Sequence, residues 1–305
     1  VDDLLPPQVS SSMPTITGPT ITGKTQLLGV IGDPVAHSLS PMMHNAAIAT
    51  LGLDYVYVPF AIKPENLAAA IAGFEAIGVR GFSITIPHKQ AIIPYLSEIT
   101  DKAKLVGAVN TVWRTATGWS GTNTDVEGFI SPLKALNRDW SAITPVILGH
   151  GGAARAVIVG LLEMGCLDVK ILGRNPEKLK HFQQSWVNTP LADKIKVYSW
   201  ENLSQLLSQT ELIVNATPVG MAPHRDRSPV EAVLWKSLAQ NAIVYDLIYT
   251  PNPTLFLTQA QEQGAAIIDG LEMLVQQGAA ALKIWLNQPV PVAVMRQRLR
   301  QQLGL

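Results

Sequence analysis

The chain has 305 residues, enough for a sizeable core and, as a soft prior, for two domains. Hydrophobic residues make up 47%, and Lys+Arg balances Asp+Glu at 23 each, so there is no general electrostatic case for nucleic acid or acidic membrane. A single cysteine, Cys166, excludes an internal disulfide and suits a reducing, cytoplasmic compartment, and no apolar run reaches the roughly 18–20 residues that span a bilayer.

Residues 1–26 are rich in Ser, Thr and Pro, and TITG occurs twice, at Thr15–Gly18 and Thr20–Gly23. They carry neither an apolar signal region nor an Arg-rich transit pattern, and read as a flexible extension. Residues 1–12, ahead of Met13, read as a cloning remnant or processed extension outside the fold.

Leu27–Ile31 is a predicted strand ending in the turn Gly32-Asp33-Pro34. HSLSP follows (His37–Pro41), with Pro41 opening a helix to Leu51 and Ser40 in the capping position. Ser38 and Ser40 thus sit in the loop after the first strand, where turn and cap chemistry alone would account for them. Tyr55–Phe60 is a strand, Pro64–Ile77 a helix and Gly81–Ile86 a third strand, an alternation that predicts βαβ units and a parallel sheet.

Pro87 stops the third strand, and His88 and Lys89 follow at the rim of the predicted sheet, where α/β proteins place reactive side chains. Short helices are predicted near Ala91–Leu96 and Glu98–Lys104, and GAVNTV (Gly107–Val112) leads into another strand. Asn110 stands among apolar neighbours, either as a backbone-bridging amide or as a donor and acceptor to a hydroxylated ligand. In GTNTDVEG, Asn123 or Thr124 is placed to cap a helix to about Leu136, and Asp125 falls in its first turn, where the dipole favours a carboxylate.

Asn137–Pro145 is polar and marks a boundary. Pro145–Leu148 is then a strand, followed by Gly149-His150-Gly151-Gly152-Ala153-Ala154-Arg155 and a helix to about Met164. This is G-x-G-x-x-A between strand and helix, the context a dinucleotide fingerprint requires. Gly149 permits the turn, Gly151 lets backbone approach a pyrophosphate, and Ala154 allows close helix packing. After the next strand, Val169–Leu172, no acid stands ready for a ribose 2′-hydroxyl. Arg174 does, with Lys178 a turn later, and a guanidinium suits a 2′-phosphate, so NADP is favoured over NAD. Further strands are predicted at Ile195–Tyr198, Glu211–Asn215, Ala242–Asp246 and Ala265–Ile268, with the loop Asn215–Met221 lining the cofactor. Helices near Leu271–Leu286 and Val290–Gln302 are expected to return to the first unit. The predicted fold is α/β with two domains: 27–139 for substrate and catalysis, 140–268 a Rossmann-type NADP-binding unit, and 269–305 the returning helices.

Taken together, HSLSP (37–41), ITIPHK (84–89), GAVNT (107–111), NTD (123–125), GHGGAAR (149–155), NATPVGM (215–221), YDLIY (245–249) and DGLEMLVQQ (269–277) closely resemble the shikimate dehydrogenase family, from about Leu27 to the C-terminus. The resemblance implies reversible NADPH-dependent reduction of 3-dehydroshikimate to shikimate, within aromatic amino-acid biosynthesis. It implies Lys89 as the catalytic lysine with Asp125 as its carboxylate partner, and Ser38, Ser40, Thr85, Asn110, Tyr249 and Gln277 as substrate contacts. Gly149, His150, Gly151, Gly152 and Ala153, with Arg174, Asn175 and Lys178, would hold NADP; Leu247 and Gly270 would lie by the nicotinamide, and Asp101 is a weaker candidate for cofactor contact. The chain departs from the family at His150, where alanine is usual, at Gly173, ahead of the retained Arg174, and at His88, where phenylalanine is common.

Lys89 would exchange a proton with the substrate oxygen, and Asp125 would orient that lysine and bind a substrate hydroxyl. The six histidines form no i, i+4 ligand pair and no Cys/His cluster, so no metal is implied. A small-molecule partner is expected, with neither nucleic acid nor membrane, and a homodimer is left open. Two alternatives stand at this point: a quinate/shikimate enzyme of the same architecture, and a non-catalytic dinucleotide-binding protein.

Overall fold

The computed structural model describes residues 20–305, so the expectations for residues 1–12 and the first TITG copy lie outside the described residues. In chain order the elements are β1 (Gln26–Gly32), α1 (Ser40–Thr50), β2 (Tyr55–Ala61), α2 (Leu67–Ala76), β3 (Gly81–Ile84), α3 (His88–Ala91), β4 (Glu98–Ile99), α4 (Asp101–Val106), β5 (Thr111–Thr115), β6 (Gly118–Thr122) and α5 (Asp125–Lys134). They continue with β7 (Val146–Leu148), α6 (Gly152–Glu163), β8 (Val169–Gly173), α7 (Pro176–Gln184), β9 (Ile195–Ser199), α8 (Leu203–Leu207), β10 (Leu212–Asn215), β11 (Ile243–Asp246), α9 (Leu255–Glu262), β12 (Ala266–Ile268), α10 (Leu271–Leu286) and α11 (Val292–Leu303).

The strands form two six-stranded sheets. The second runs β12-β11-β10-β7-β8-β9 with every pairing parallel, so strand order reverses between β7 and β10, the switch point at which doubly wound sheets bind ligands. The buried runs Val146–Leu148 and Leu212–Asn215 are continuously apolar up to Asn215, as strands covered on both faces must be.

The first sheet runs β2-β1-β3-β5-β6-β4 and departs from the all-parallel expectation. β5 runs antiparallel to both β3 and β6, and it joins β6 through a tight hairpin closed by Thr115 and Gly118 in place of a crossover helix. β6 was not foreseen, since GWSGT lacks the β-branched alternation of its neighbours.

The C-terminal helices close this first unit. Leu271, Val275, Ala279 and Leu282 of α10, with Met295 and Leu299 of α11, share one core cluster with Leu28 and Val30 of β1 and Met43 and Ala47 of α1. Trp285 of α10 donates its indole N–H to the Val112 carbonyl at 2.8 Å. Arg296 grips Glu272 through two bonds of 2.7 Å, tying α11 to α10 and holding the Glu272 carboxyl below its usual range. Among the described residues no helix is long and apolar enough to cross a membrane.

Three local expectations need correction. The strand predicted to reach Ile86 ends at Ile84, and Lys89 lies inside the short helix α3 instead of on a bare strand end. Ser40 does not cap α1; it is that helix's first residue, and the Ser38 hydroxyl accepts its N–H at 3.3 Å. The single helix predicted over Glu98–Lys104 is instead the short strand β4 followed by α4, capped by Thr100, whose hydroxyl accepts the Ala103 N–H.

Candidate active site

Lys89 is placed by three independent devices. Its short helix is anchored by His88, fully buried, whose Nε2 bonds the Ile62 carbonyl at 2.6 Å. The Lys89 carbonyl accepts the Val109 N–H at 2.7 Å, locking α3 to the segment before Asn110. The ammonium forms an ion pair with Asp125, the two side chains being 17% and 7% exposed. A lysine this enclosed and this paired is not a solvated surface cation.

Asp125 opens α5, and its carboxylate is fixed on both oxygens. Oδ2 faces Lys89, and Oδ1 accepts Asn110 Nδ2 at 2.8 Å. Asn110 in turn accepts the Thr124 N–H at 2.7 Å and the Thr111 hydroxyl at 3.0 Å, and its amide nitrogen reaches Gln277 Oε1 at 3.5 Å. Thr124, a predicted cap, makes no side-chain cap bond; its hydroxyl serves this network, while the Asn123 side chain accepts the Asp125 N–H at 3.0 Å. Buried polar groups are costly unless paired, so a satisfied set of this kind leaves each side chain one orientation.

These residues open onto a cleft of about 200 Å³. Its walls include Ser38, Ser40, Thr85, Lys89, Asn110, Asp125, Tyr249 and Gln277, together with Ala153, Leu247 and Gly270. All eight residues assigned to substrate and proton chemistry therefore share one cavity, although they come from the β1–α1 connection, the β3–α3 segment, the residue just before β5, α5, the loop after β11, and α10. Burial raises the Tyr249 phenol above its ordinary pKa, so it remains a hydroxyl donor across the neutral range. The sequence alone did not single out His37, Ser83 and Met273, which also line the cleft.

The remaining predicted residues lie outside that cavity. Gly149 adopts φ +100°, and a Cβ there would come within 2.8 Å of the Thr217 methyl, so the turn requires glycine. Gly151 and Gly152 lead into α6, which has no side-chain cap and no acid in its first turn, leaving its N–H groups free for an anion. Around Gly151 there is open space, and Gly152 faces the Lys89 side chain. Arg174 is exposed beyond β8 with its guanidinium 5.0 Å from the Trp200 ring centre. Asn175 caps α7, its side chain accepting the Lys178 N–H at 2.9 Å, and Lys178 is exposed on the same turn. An uncapped glycine-bracketed helix start with a free cation beyond the next strand fits a dinucleotide carrying an extra phosphate. The His150 ring packs against Gly173 and lies 6.0 Å from Phe182. Asp101 lies apart from the cleft, exposed and paired with Lys104 at 3.0 Å.

A buried carboxylate behind this site was also missed. Asp246, wholly buried at the end of β11, accepts Asn215 Nδ2 at 3.0 Å, the Ile248 N–H at 3.0 Å and the Thr254 hydroxyl at 2.7 Å. Burial pushes its pKa up to about 7, and the three donors pull it back by less. It shapes the loop that carries Leu247 and Tyr249. The available signal was an acid closing an apolar strand, beside the polar Asn215 closing the neighbouring one.

Comparison with known proteins bears on these residues. The family model for the shikimate dehydrogenase substrate binding domain matches residues 30–112, and that for the shikimate 5'-dehydrogenase C-terminal domain matches residues 270–300. A shikimate dehydrogenase (NADP(+)) of Gloeothece citriformis is 67% identical over 94% of this chain and 100% of its own length. That of Crocosphaera subtropica is 63% identical over 93% and 98%. Among solved structures, a shikimate dehydrogenase in complex with NADP+ superposes with a TM-score of 0.84 at 40% identity, covering 94% and 99% of the two chains. The Thermus thermophilus shikimate 5-dehydrogenase in complex with NADP(H) and shikimate gives 0.80 at 32%, over 91% and 99%. A 5-ketofructose reductase of a Gluconobacter strain gives the same 0.80 at 32%, over 92% and 100%.

Proposed function

This chain belongs to the shikimate dehydrogenase family, and from that premise we propose that Lys89 and Asp125 are its proton-handling pair and that the surrounding cleft is its substrate site. The protein is an NADP-dependent oxidoreductase that interconverts 3-dehydroshikimate and shikimate. The observation that carries the residue assignment is the Lys89–Asp125 ion pair, fixed by Asn110 and opening on the same cavity as every other substrate residue.

Bound NADPH supplies the hydride. Lys89 Nζ donates a proton to the oxygen of the carbonyl being reduced and recovers it in the reverse direction. Asp125 orients that ammonium and accepts a substrate hydroxyl, and Asn110 holds Asp125 through Oδ1. Ser38, Ser40, Thr85, Tyr249 and Gln277 offer the hydroxyl and amide groups that match a polyhydroxylated carboxylate. Gly149 to Ala153 would hold the pyrophosphate and Arg174, Asn175 and Lys178 the 2′-phosphate, with Leu247 and Gly270 beside the nicotinamide. Asp101, exposed and paired with Lys104, is the weakest member of the cofactor set. We divide the chain at 27–139, 140–268 and 269–305, with 1–26 as an extension, and place the enzyme in the cytoplasm; a homodimer is for light scattering to establish.

Likeness to a 5-ketofructose reductase makes the polyol the point to test, because that fold match is as good as one to a shikimate enzyme. NADPH absorbance followed with 3-dehydroshikimate, and in reverse with shikimate or quinate against NADP and NAD, decides it. Shikimate with NADP should be turned over fastest; equal turnover of quinate would move the assignment to the broader quinate/shikimate activity. In the same assay Lys89→Ala should lose turnover by about 10²–10⁴-fold while shikimate still binds. Near-normal turnover would remove Lys89 from the mechanism.

A further inference from the structure

Arg155 closes the glycine motif, yet neither the substrate cleft nor the cofactor set uses it. It lies on α6, the helix that opens at Gly152, and it is only 7% exposed. Its guanidinium does not turn towards the glycine loop. Nε donates to the Val106 carbonyl at the end of α4, and Nη1 donates to the Ser185 hydroxyl at 2.7 Å. One face of the guanidinium stacks on Trp186, whose ring centre is 4.2 Å away. Burial brings its pKa down to about 10, so the side chain still carries its charge at neutral pH.

The bond to Val106 joins the two sheets' units. Val106 is the last residue of α4, where carbonyls lack helical partners and the dipole favours a cation. Gly107 follows with φ +67°, and a Cβ there would lie 2.7 Å from Arg155 Nη2, so the guanidinium fills the space beside that turn. Two residues on, the Val109 N–H holds the Lys89 carbonyl at 2.7 Å, and Asn110 holds Asp125 at 2.8 Å. A continuous set of short contacts therefore runs from the helix behind the glycine loop to the lysine and its carboxylate partner.

We propose that Arg155 is a positioning residue that fixes the cofactor-side helix α6 against the α4–β5 segment and so sets the placement of Lys89 and Asn110 across the cleft. The proposal rests on the site assignment above and deepens it. Its physical basis is the steep dependence of transfer reactions on approach: a displacement of about 1 Å costs on the order of 100-fold in rate. A buried cation stacked on an indole and bonded to two units has few alternative positions, which is what a fixed spacer requires.

The test is Arg155→Met, with Arg155→Lys as the conservative variant, in the full chain. Calorimetry measures the affinities for NADP+ and for shikimate separately. Hydrogen exchange follows the amides of residues 106–110 with and without NADP+, and steady-state kinetics give kcat. For Arg155→Met we expect kcat to fall about 10- to 100-fold, each affinity to change less than about threefold, and the protection that NADP+ confers on residues 106–110 to disappear. Arg155→Lys, which can still reach Val106, should recover most of the exchange protection and part of kcat. A kcat within threefold of the parent, NADP+-dependent protection that survives in Arg155→Met, or a fall in NADP+ affinity as large as the fall in kcat would each overturn the proposal. The affinity and exchange readouts do not depend on which group transfers the proton, so failure of the Lys89 assignment would appear in Lys89→Ala and leave these measurements intact.

Discussion

Replacing Asp125 by Asn tests the centre of the site while conserving its shape. The carboxylate now takes the Lys89 ammonium on Oδ2 and Asn110 Nδ2 on Oδ1. A carboxamide has one acceptor oxygen, so either Lys89 or Asn110 must face an NH₂ group, donor against donor. Removing one partner of a fully buried ion pair costs about 3–5 kcal/mol, whereas exposed pairs are worth about 0–1. With side chains 7% and 17% exposed, this pair falls between, at about 2–3 kcal/mol. That energy no longer holds Lys89 in position, and at 1.36 kcal/mol per decade it corresponds to a loss of about 30- to 150-fold in kcat/KM. Thermal unfolding should fall with it, by about 3–5 °C for a chain of 305 residues. Initial rates of NADP+ reduction by shikimate and a melting curve together read both numbers. If Asp125→Asn kept its rate within threefold and its melting temperature within a degree, Lys89 would not depend on this carboxylate for its placement.

Other residues carry independent expectations. Arg174→Ser should raise KM for NADP+ by about 10- to 100-fold, the value of one or two charge-assisted hydrogen bonds, and leave NAD+ kinetics unchanged; an equal effect on both cofactors would place Arg174 elsewhere. Gly270→Ala would set a methyl 2.5 Å from the Leu247 carbonyl carbon and 2.9 Å from that of Ile248, neither of which is a flexible side-chain end. Its melting temperature and shikimate affinity should therefore both fall, and a variant normal in both would show that this loop adjusts freely. Asp246 gives a pH signature. Because burial lifts its folded pKa to about 7, above an unfolded value near 3.9, the folded state binds its proton more tightly. Its stabilising contribution is complete below about pH 4 and is lost as pH rises to about 7. Denaturant unfolding of the parent and Asp246→Asn at successive pH values should thus show a stability difference that declines over that window and is flat above it. A difference that grew with pH would reverse the assignment.

Much of the site was legible residue by residue. GHGGAAR read as strand, turn and helix because glycine at positive φ and small residues at a close helix approach are local requirements. Arg174 could be singled out because a 2′-phosphate would call for a cation at the end of the second strand of such a unit, and the structure leaves it exposed just beyond β8. Lys89 was singled out on a partly mistaken local reading: the strand stops at Ile84, and His88 anchors a short helix through a carbonyl 26 residues away. Ser40 and Thr124 looked like caps; Ser40 instead lines the cleft, and the Thr124 hydroxyl bonds Asn110. Serine and threonine bond whatever group lies nearest, and that neighbour is a tertiary fact.

The sequence by itself determined most of the elements, though not β4 or β6, together with the two-unit order, the preference for NADP and the residue types expected at the cleft, because periodicity, turn chemistry and charge act over a few positions. Only the tertiary structure decided which of those residues meet. Lys89 and Asp125 are 36 positions apart, and Asn110 and Gln277 are 167 apart. They meet because β5 turns back antiparallel beside β3, and α10 returns to pack on α1 and β1. Sheet order and helix return are set by burial of apolar faces summed over the whole chain, which no local pattern records.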